Sequence, residues 1–130
     1  MKEGCGDSLP EIVVEAIRSF NDGKYYQAHE EFETAWREES SEVRVMYQAL
    51  LQVAVVFLHI GISNYMGATQ LGEKALAKLQ VWQGICQGID LDKVHNSFVA
   101  ILNEVKRLGP DHIAEFDQSK FFKIHIAGEH

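Results

Sequence analysis

Apolar residues recur along the chain at intervals of three and four, the period that gathers side chains on one face of an α-helix. Ile12, Val13, Ala16, Ile17 and Phe20 form the first such set. Ahead of them, Ser8-Leu9-Pro10-Glu11 offers a capping Ser, a Pro for the first turn and a Glu three residues after the Ser, so a helix is expected over residues 9–20. Asn21-Asp22-Gly23 is turn chemistry, and a second helix follows over 24–38. Ser40-Ser41-Glu42 punctuates the chain before a third, expected over 42–62. That helix is apolar almost all round, which marks the buried centre of a fold.

Residues 61–64 supply the next turn, and Met66, Leu71, Ala75, Leu76 and Leu79 predict a fourth helix reaching about residue 82. Gly67 and Gly72 lower its helix propensity and are expected where another helix approaches closely. Asp90 caps a fifth helix carrying Leu91, Val94, Phe98, Ile101, Leu102, Val105 and Leu108 on one face, and Gly109-Pro110 ends it. Phe116, Phe121, Phe122, Ile124 and Ile126 follow without a clean period. They predict an irregular segment over 111–130, with one helical turn, packed across the bundle and frayed over its last three residues. The fold class is all-α: a single domain, a compact bundle of about five helices built from two antiparallel hairpins and a fifth helix.

An offset of forty residues relates Tyr25, Ala28, Phe32 and Ala35 to Tyr65, Ala68, Gly72 and Ala75. Two stacked helical hairpins produce such a pattern, and so do small residues at any close helix crossing.

Composition narrows the partners. The 130 residues are 46% hydrophobic and 24% charged, a globular mixture, and the net charge is -7. No run exceeds two consecutive basic residues, so neither nucleic acid nor an anionic membrane is an expected partner. The apolar stretch 49–62 is shorter than the ~18 residues of a spanning helix and contains Gln52 and His59. Residues 1–5 show no leader pattern, which points to the cytoplasm. In that compartment Cys5 and Cys86, with no C-x-x-C spacing, are expected as free thiols.

Candidate chemistry lies on the second and third helices. His29 and Glu33 are four apart and therefore neighbours, with Tyr26, Glu30 and Arg37 along the same flank and Trp36 on the adjoining stripe. On the third helix Gln48, Gln52 and His59 fall within about 40° of one another. A buried polar group without a partner costs roughly 1–3 kcal/mol, so a polar cluster of His29, Glu33, Gln52 and His59 is expected between the two helices. Three kinds of chemistry fit it. His29, Glu33 and His59 are suitable ligands for a divalent metal, although the sequence requires no cofactor. Glu33 can orient His29 for acid-base work. A satisfied hydrogen-bond network that only fixes helix packing is the third. His29-Glu30-Glu31-Phe32-Glu33 begins like the zinc-protease motif but has Glu where the second His belongs. His95, His112, His125 and His130 read as surface or tail residues.

Several strings, in order, resemble the domain of unknown function 309 family of small bacterial, archaeal and plastid-lineage proteins. They run from Phe20 to Glu30 with Glu33 and Trp36-Arg37, then from Gln48 to Val55 with His59, then Asn64 and Gly67-Ala68. The likeness covers residues 12–79 and implies a helical bundle around a central helix; it implies no activity. Three functional readings follow. A binding module would take a small molecule or peptide in a groove lined by Tyr26, Trp36, Arg37 and Tyr47. A metal-assisted or acid-base hydrolase would use His29, Glu33 and His59. A scaffold would present a homodimer interface. No nucleophile elbow or phosphate loop is present, which ranks binding first.

The charge distribution makes a testable prediction. Fluorescence anisotropy with duplex and single-stranded oligonucleotides at about 150 mM salt should show no saturable binding. Micromolar binding that weakens steeply with salt would reveal a folded basic patch, with Lys74, Lys78 and Arg107 as its first candidates.

Overall fold

A computed structural model describes residues 2–127. At its centre is α3 (Val43–Gly61), which buries eleven of its nineteen residues. Before it come α1 (Glu11–Asn21) and α2 (Tyr25–Glu38), and after it α4 (Tyr65–Leu79) and α5 (Leu91–His112). Each helix of the first four packs antiparallel on the next, so α2 and α4 flank α3, and α5 packs on α4. This is the all-α bundle expected from the periodicity. Among the described residues α3 alone is long and apolar enough to cross a membrane, and most of it is enclosed by its neighbours. The expected frayed tail, residues 128–130, lies outside the described residues.

The repeat at offset forty is written into the turns. In the first hairpin the amides of Asp22, Gly23 and Lys24 donate to the carbonyls of Arg18, Phe20 and Ser19 at 2.9, 3.0 and 2.8 Å. In the second, those of Ile62, Ser63 and Asn64 donate to Leu58, Ile60 and His59 at 3.1, 3.0 and 2.8 Å. Gly23 and Ser63 both take the left-handed conformation that such a turn needs. The pattern therefore reflects two equivalent helical hairpins, and both turns lie at the same end of the bundle.

The starts of α4 and α5 follow local chemistry. Asn64 accepts from the Gly67 amide at 2.9 Å and Asp90 from that of Lys93 at 3.1 Å, each capping a helix. The expected cap at Ser8 does not form; Pro10 occupies the cap position, and its carbonyl takes the amides of Val13 and Val14. Gly109 turns to φ 73° and breaks α5 as anticipated. The fourth helix ends at Leu79 rather than near 82, because Val81 and Trp82 tighten into three-residue turns leading to a hairpin that the periodicity did not reveal.

That hairpin pairs β1 (Ile85–Cys86) with β2 (Ile89–Asp90), and both turn residues, Gln87 and Gly88, have positive φ, as a two-residue turn of this hand requires. It joins both ends of the described chain. The Gln87 amide donates to the Cys5 carbonyl at 2.7 Å, the Ala127 amide donates to the Gly88 carbonyl at 2.7 Å, and Ile89 bridges Ile126. Cys5 and Cys86 are disulfide-bonded, with Cα atoms 4.4 Å apart, so the expectation of free thiols is corrected. Compartment averages carry no information about the hairpin that places Cys86 beside the N-terminal segment. Across a separation of 81 residues, the loop-entropy description assigns such a bond a stabilisation on the order of 4–5 kcal/mol.

The C-terminal segment packs as expected through aromatic side chains. Phe121 stacks on Phe57 of α3 with centroids 4.1 Å apart, and Phe122 meets the same ring edge-on at 5.4 Å. Asn21 holds the strand-like chain at Ile124 with two hydrogen bonds of 2.8 Å, one donated and one accepted.

Gly67 and Gly72 mark close approaches. A Cβ on Gly72 would lie 2.6 Å from Leu102 Cδ2 of α5, and one on Gly67 would lie 2.8 Å from His59 Nδ1. Gly72→Ala should therefore destabilise the domain by about 1–3 kcal/mol, crowding outweighing the gain in helix propensity. Gly61, whose Cβ would meet only Gln118 at 3.9 Å, is the control. Gly61→Ala should be neutral or stabilising by up to about 1 kcal/mol, read from urea midpoints.

Candidate functional site

Helix α2 buries Ala28, Phe32 and Ala35 and leaves His29, Glu33 and Trp36 half-buried along one flank. The Arg44 guanidinium of α3 lies 5.0 Å over the Trp36 ring, so this flank faces α3. Glu33 bridges two neighbours one turn away on either side. Its Oε2 is 3.6 Å from His29 Nε2, and its Oε1 accepts from Arg37 Nη2 at 2.6 Å. The Tyr26 ring stands 5.8 Å from that of His29 and is itself 64% exposed. Glu30 is exposed on α2 and Gln48 half-buried on α3.

Gln52 is 8% exposed. It stands nine residues from the start of α3, and His29 stands nine residues from the end of α2. With equal rise along two antiparallel helices, these positions are level across the hairpin. Gln52 Oε1 and His29 Nδ1 are both buried and neither has a hydrogen-bond partner. Such atoms are uncommon in folded domains because each forfeits its hydration. Trp82 Nε1 and His95 Nε2, elsewhere in the fold, are likewise buried without a partner.

His59 belongs to a different arrangement. Its Nδ1 is 3.2 Å from Asn64 Nδ2, while Asn64 Oδ1 caps α4. The His59 ring thus braces the α3–α4 turn, in the position that Ser19 occupies in the first hairpin, where the Ser19 hydroxyl donates to Glu31 at 2.6 Å. Among the described residues no three His, Cys, Asp or Glu side chains come together as a metal-holding group, so His29, Glu33 and His59 do not form a ligand triad. Tyr47, expected on the groove, is instead fully buried, and its hydroxyl donates to Gln87 Oε1 at 2.7 Å. Burial pushes its phenol up to about 12, an effect that the bond to Gln87 opposes. The residue was misplaced because helical period alone does not say which faces a later segment will cover.

A charged cleft around Glu104, Arg107, His112, Glu115, Asp117 and Lys120 had no sequence signal beyond scattered charges. Arg107 donates two hydrogen bonds to Glu104, at 2.7 and 2.8 Å, and Lys120 lies 3.4 Å away. The Arg107 hydrogen bonds lead in holding the Glu104 carboxyl down at about 2. Its cations are thereby occupied. Arg107 is not available to the pair Lys74 and Lys78, whose mutual proximity, after partial burial, lowers the Lys78 ammonium.

The family model described as Domain of unknown function (DUF309) matches residues 13–71. The matched span runs from α1 into α4 and contains His29, Glu33, Gln52 and His59. No curated protein matches the chain.

The assignment of His59 to the turn is open to a direct check. His59→Leu should lower stability by about 0.5–1.5 kcal/mol in metal-free, ligand-free buffer, because Asn64 loses its partner. Gly67→Ala should produce a loss of the same kind by pushing the ring away. A melting temperature unchanged in both variants would return His59 to the list of ligand-binding residues.

Proposed function

We propose, for a chain whose residues 13–71 match the DUF309 family model, that the domain is a small binding module whose ligand engages α2 and α3 at the level of His29 and Gln52. The observation that carries this reading is that Gln52 Oε1 on α3 and His29 Nδ1 on α2 are both buried without a hydrogen-bond partner. A ligand group that donates to the Gln52 oxygen restores the bond that folding removed. The His29 nitrogen offers a donor or an acceptor according to its tautomer.

Apolar contacts for the rest of the ligand are close by. Tyr26, Ile62 and Met66 are 64%, 74% and 62% exposed and lie at the end of the bundle where the two equivalent turns stand. Tyr26 and Met66 occupy corresponding positions of the two hairpins, one residue after Tyr25 and Tyr65. A small molecule or short peptide with a hydrogen-bond donor and an apolar body suits this combination. In this reading the module works in the cytoplasm, with its most apolar helix sheathed by its neighbours.

Gln52→Leu tests the reading, because functional polar groups in a core oppose stability while structural ones support it. The variant should raise stability of the free protein by about 0.5–2 kcal/mol. Primary amides and alkylguanidinium ions titrated into the wild type should shift the His29 ring and Gln52 side-chain NMR signals, and the Gln52→Leu protein should show no such response. Destabilisation by Gln52→Leu, with no probe response in the wild type, would show that the pair serves packing alone.

A further inference from the structure

The Cys5–Cys86 disulfide is asymmetric in its access. Cys5 lines two open clefts. One is walled by Lys2, Glu42, Trp82 and Ile85, the other by Asp7, Ser8, Gln87 and Gly88. Cys86 lines neither and is almost fully enclosed in β1. Cys5 is 8% exposed against 1% for Cys86, so a nucleophile arriving from solvent approaches the bond from the Cys5 side. Lys2, whose ammonium lies 5.2 Å over the Trp82 ring, places a positive charge at the mouth of one cleft. That charge favours an anionic attacking group.

The segment that Cys5 anchors has few other holds. Residues 2–9 form no helix. Their hydrogen bonds to the rest of the fold are those of the Gln87 amide on the Cys5 carbonyl, the Gln87 Nε2 on the Gly4 carbonyl at 3.0 Å and the Glu3 amide on Glu42 at 2.8 Å, and beyond these Lys2 lies over Trp82 and Leu9 packs on the core. Cys86, by contrast, sits in a hairpin held by its own ladder and by the bridge to Ile126. Breaking the disulfide would free one partner and leave the other in place.

We propose that Cys5 is a thiol-exchange site and that its modification opens an N-terminal clasp. A small-molecule thiolate attacks Cys5 Sγ along the axis of the disulfide. A mixed disulfide forms at Cys5, the Cys5–Cys86 bond breaks, and the electron pair leaves on Cys86 Sγ, which then takes a proton from water. A second thiolate attacks the sulfur of the small molecule in that mixed disulfide and leaves Cys5 as a thiol. Two thiols are oxidised to one disulfide, and the protein disulfide is reduced to two thiols. With the tether gone, residues 2–8 lift from Trp82 and Val43, while the hairpin and its bridge to Ile126 stay closed.

The experiment uses the folded, full chain and reduced glutathione as the probe. At early times, after acid quenching and alkylation of free thiols, peptide mass spectrometry should find glutathione on Cys5 and the alkyl label on Cys86. The rate should rise with glutathione and not respond to urea well below the unfolding midpoint. Hydrogen exchange supplies the conformational readout. Protection of the Gln87 amide, bonded to Cys5, should fall roughly tenfold or more, while that of the Ala127 amide, bonded to Gly88, stays within about twofold. Adducts on Cys86, full reduction with no Cys5 adduct at early times, a disulfide that reacts only in step with global unfolding, or loss of protection at both amides would each overturn the proposal.

Discussion

The condition that α3 be covered on nearly every side governs where the other elements go. A helix apolar around its whole circumference needs more than one partner, and here α2 and α4 flank it while the Phe121 and Phe122 rings close over Phe57. Polar side chains on such a helix then have to be dealt with one at a time. Tyr47 finds Gln87 of the hairpin, and His59 finds Asn64 of the following turn. Gln52 finds nothing within the chain. The candidate site is thus what remains when the same burial requirement has been met everywhere else along one helix.

Local patterning was enough to read most of this architecture. The periods of the five helices, the cap at Asp90 and the break at Gly109 depend on residues within a turn of one another, and the offset-forty likeness became a match between two sets of turn hydrogen bonds. What the sequence did not disclose depends on contacts between distant segments. The hairpin at 85–90 is four strand residues long, too short for an alternating pattern, yet it determines the fate of Cys5, Cys86 and Tyr47 together. The candidate site divided the same way. Helical spacing made neighbours of His29 and Glu33, which lie 3.6 Å apart on α2. His59 was assigned to the same group because period gives direction around a helix but not which neighbour lies there. In the fold that neighbour is α4, admitted by the missing side chain of Gly67.

The domain consequently has two kinds of polar centre with opposite character. Around Glu104 the charges are exposed and mutually satisfied, an arrangement that screening by solvent makes inexpensive. On α2 and α3 two polar atoms, His29 Nδ1 and Gln52 Oε1, are buried and unpartnered. A ligand would gain most at a centre of the second kind, where the protein has lost water and received nothing in return.

The hairpin at 85–90 also has a geometric consequence for the chain as a whole. Its neighbouring residues Gln87 and Gly88 hold Cys5 on one side and Ala127 on the other, each through a backbone hydrogen bond of 2.7 Å. The two ends of the described chain therefore leave the bundle from one corner, separated by little more than the width of the ribbon between them. A polypeptide arranged in this way can be spliced into a surface loop of a host protein without prising that loop apart. A short linker between residues near 5 and 127 would turn it into a continuous ring from which new termini could be cut at either of the equivalent hairpin turns.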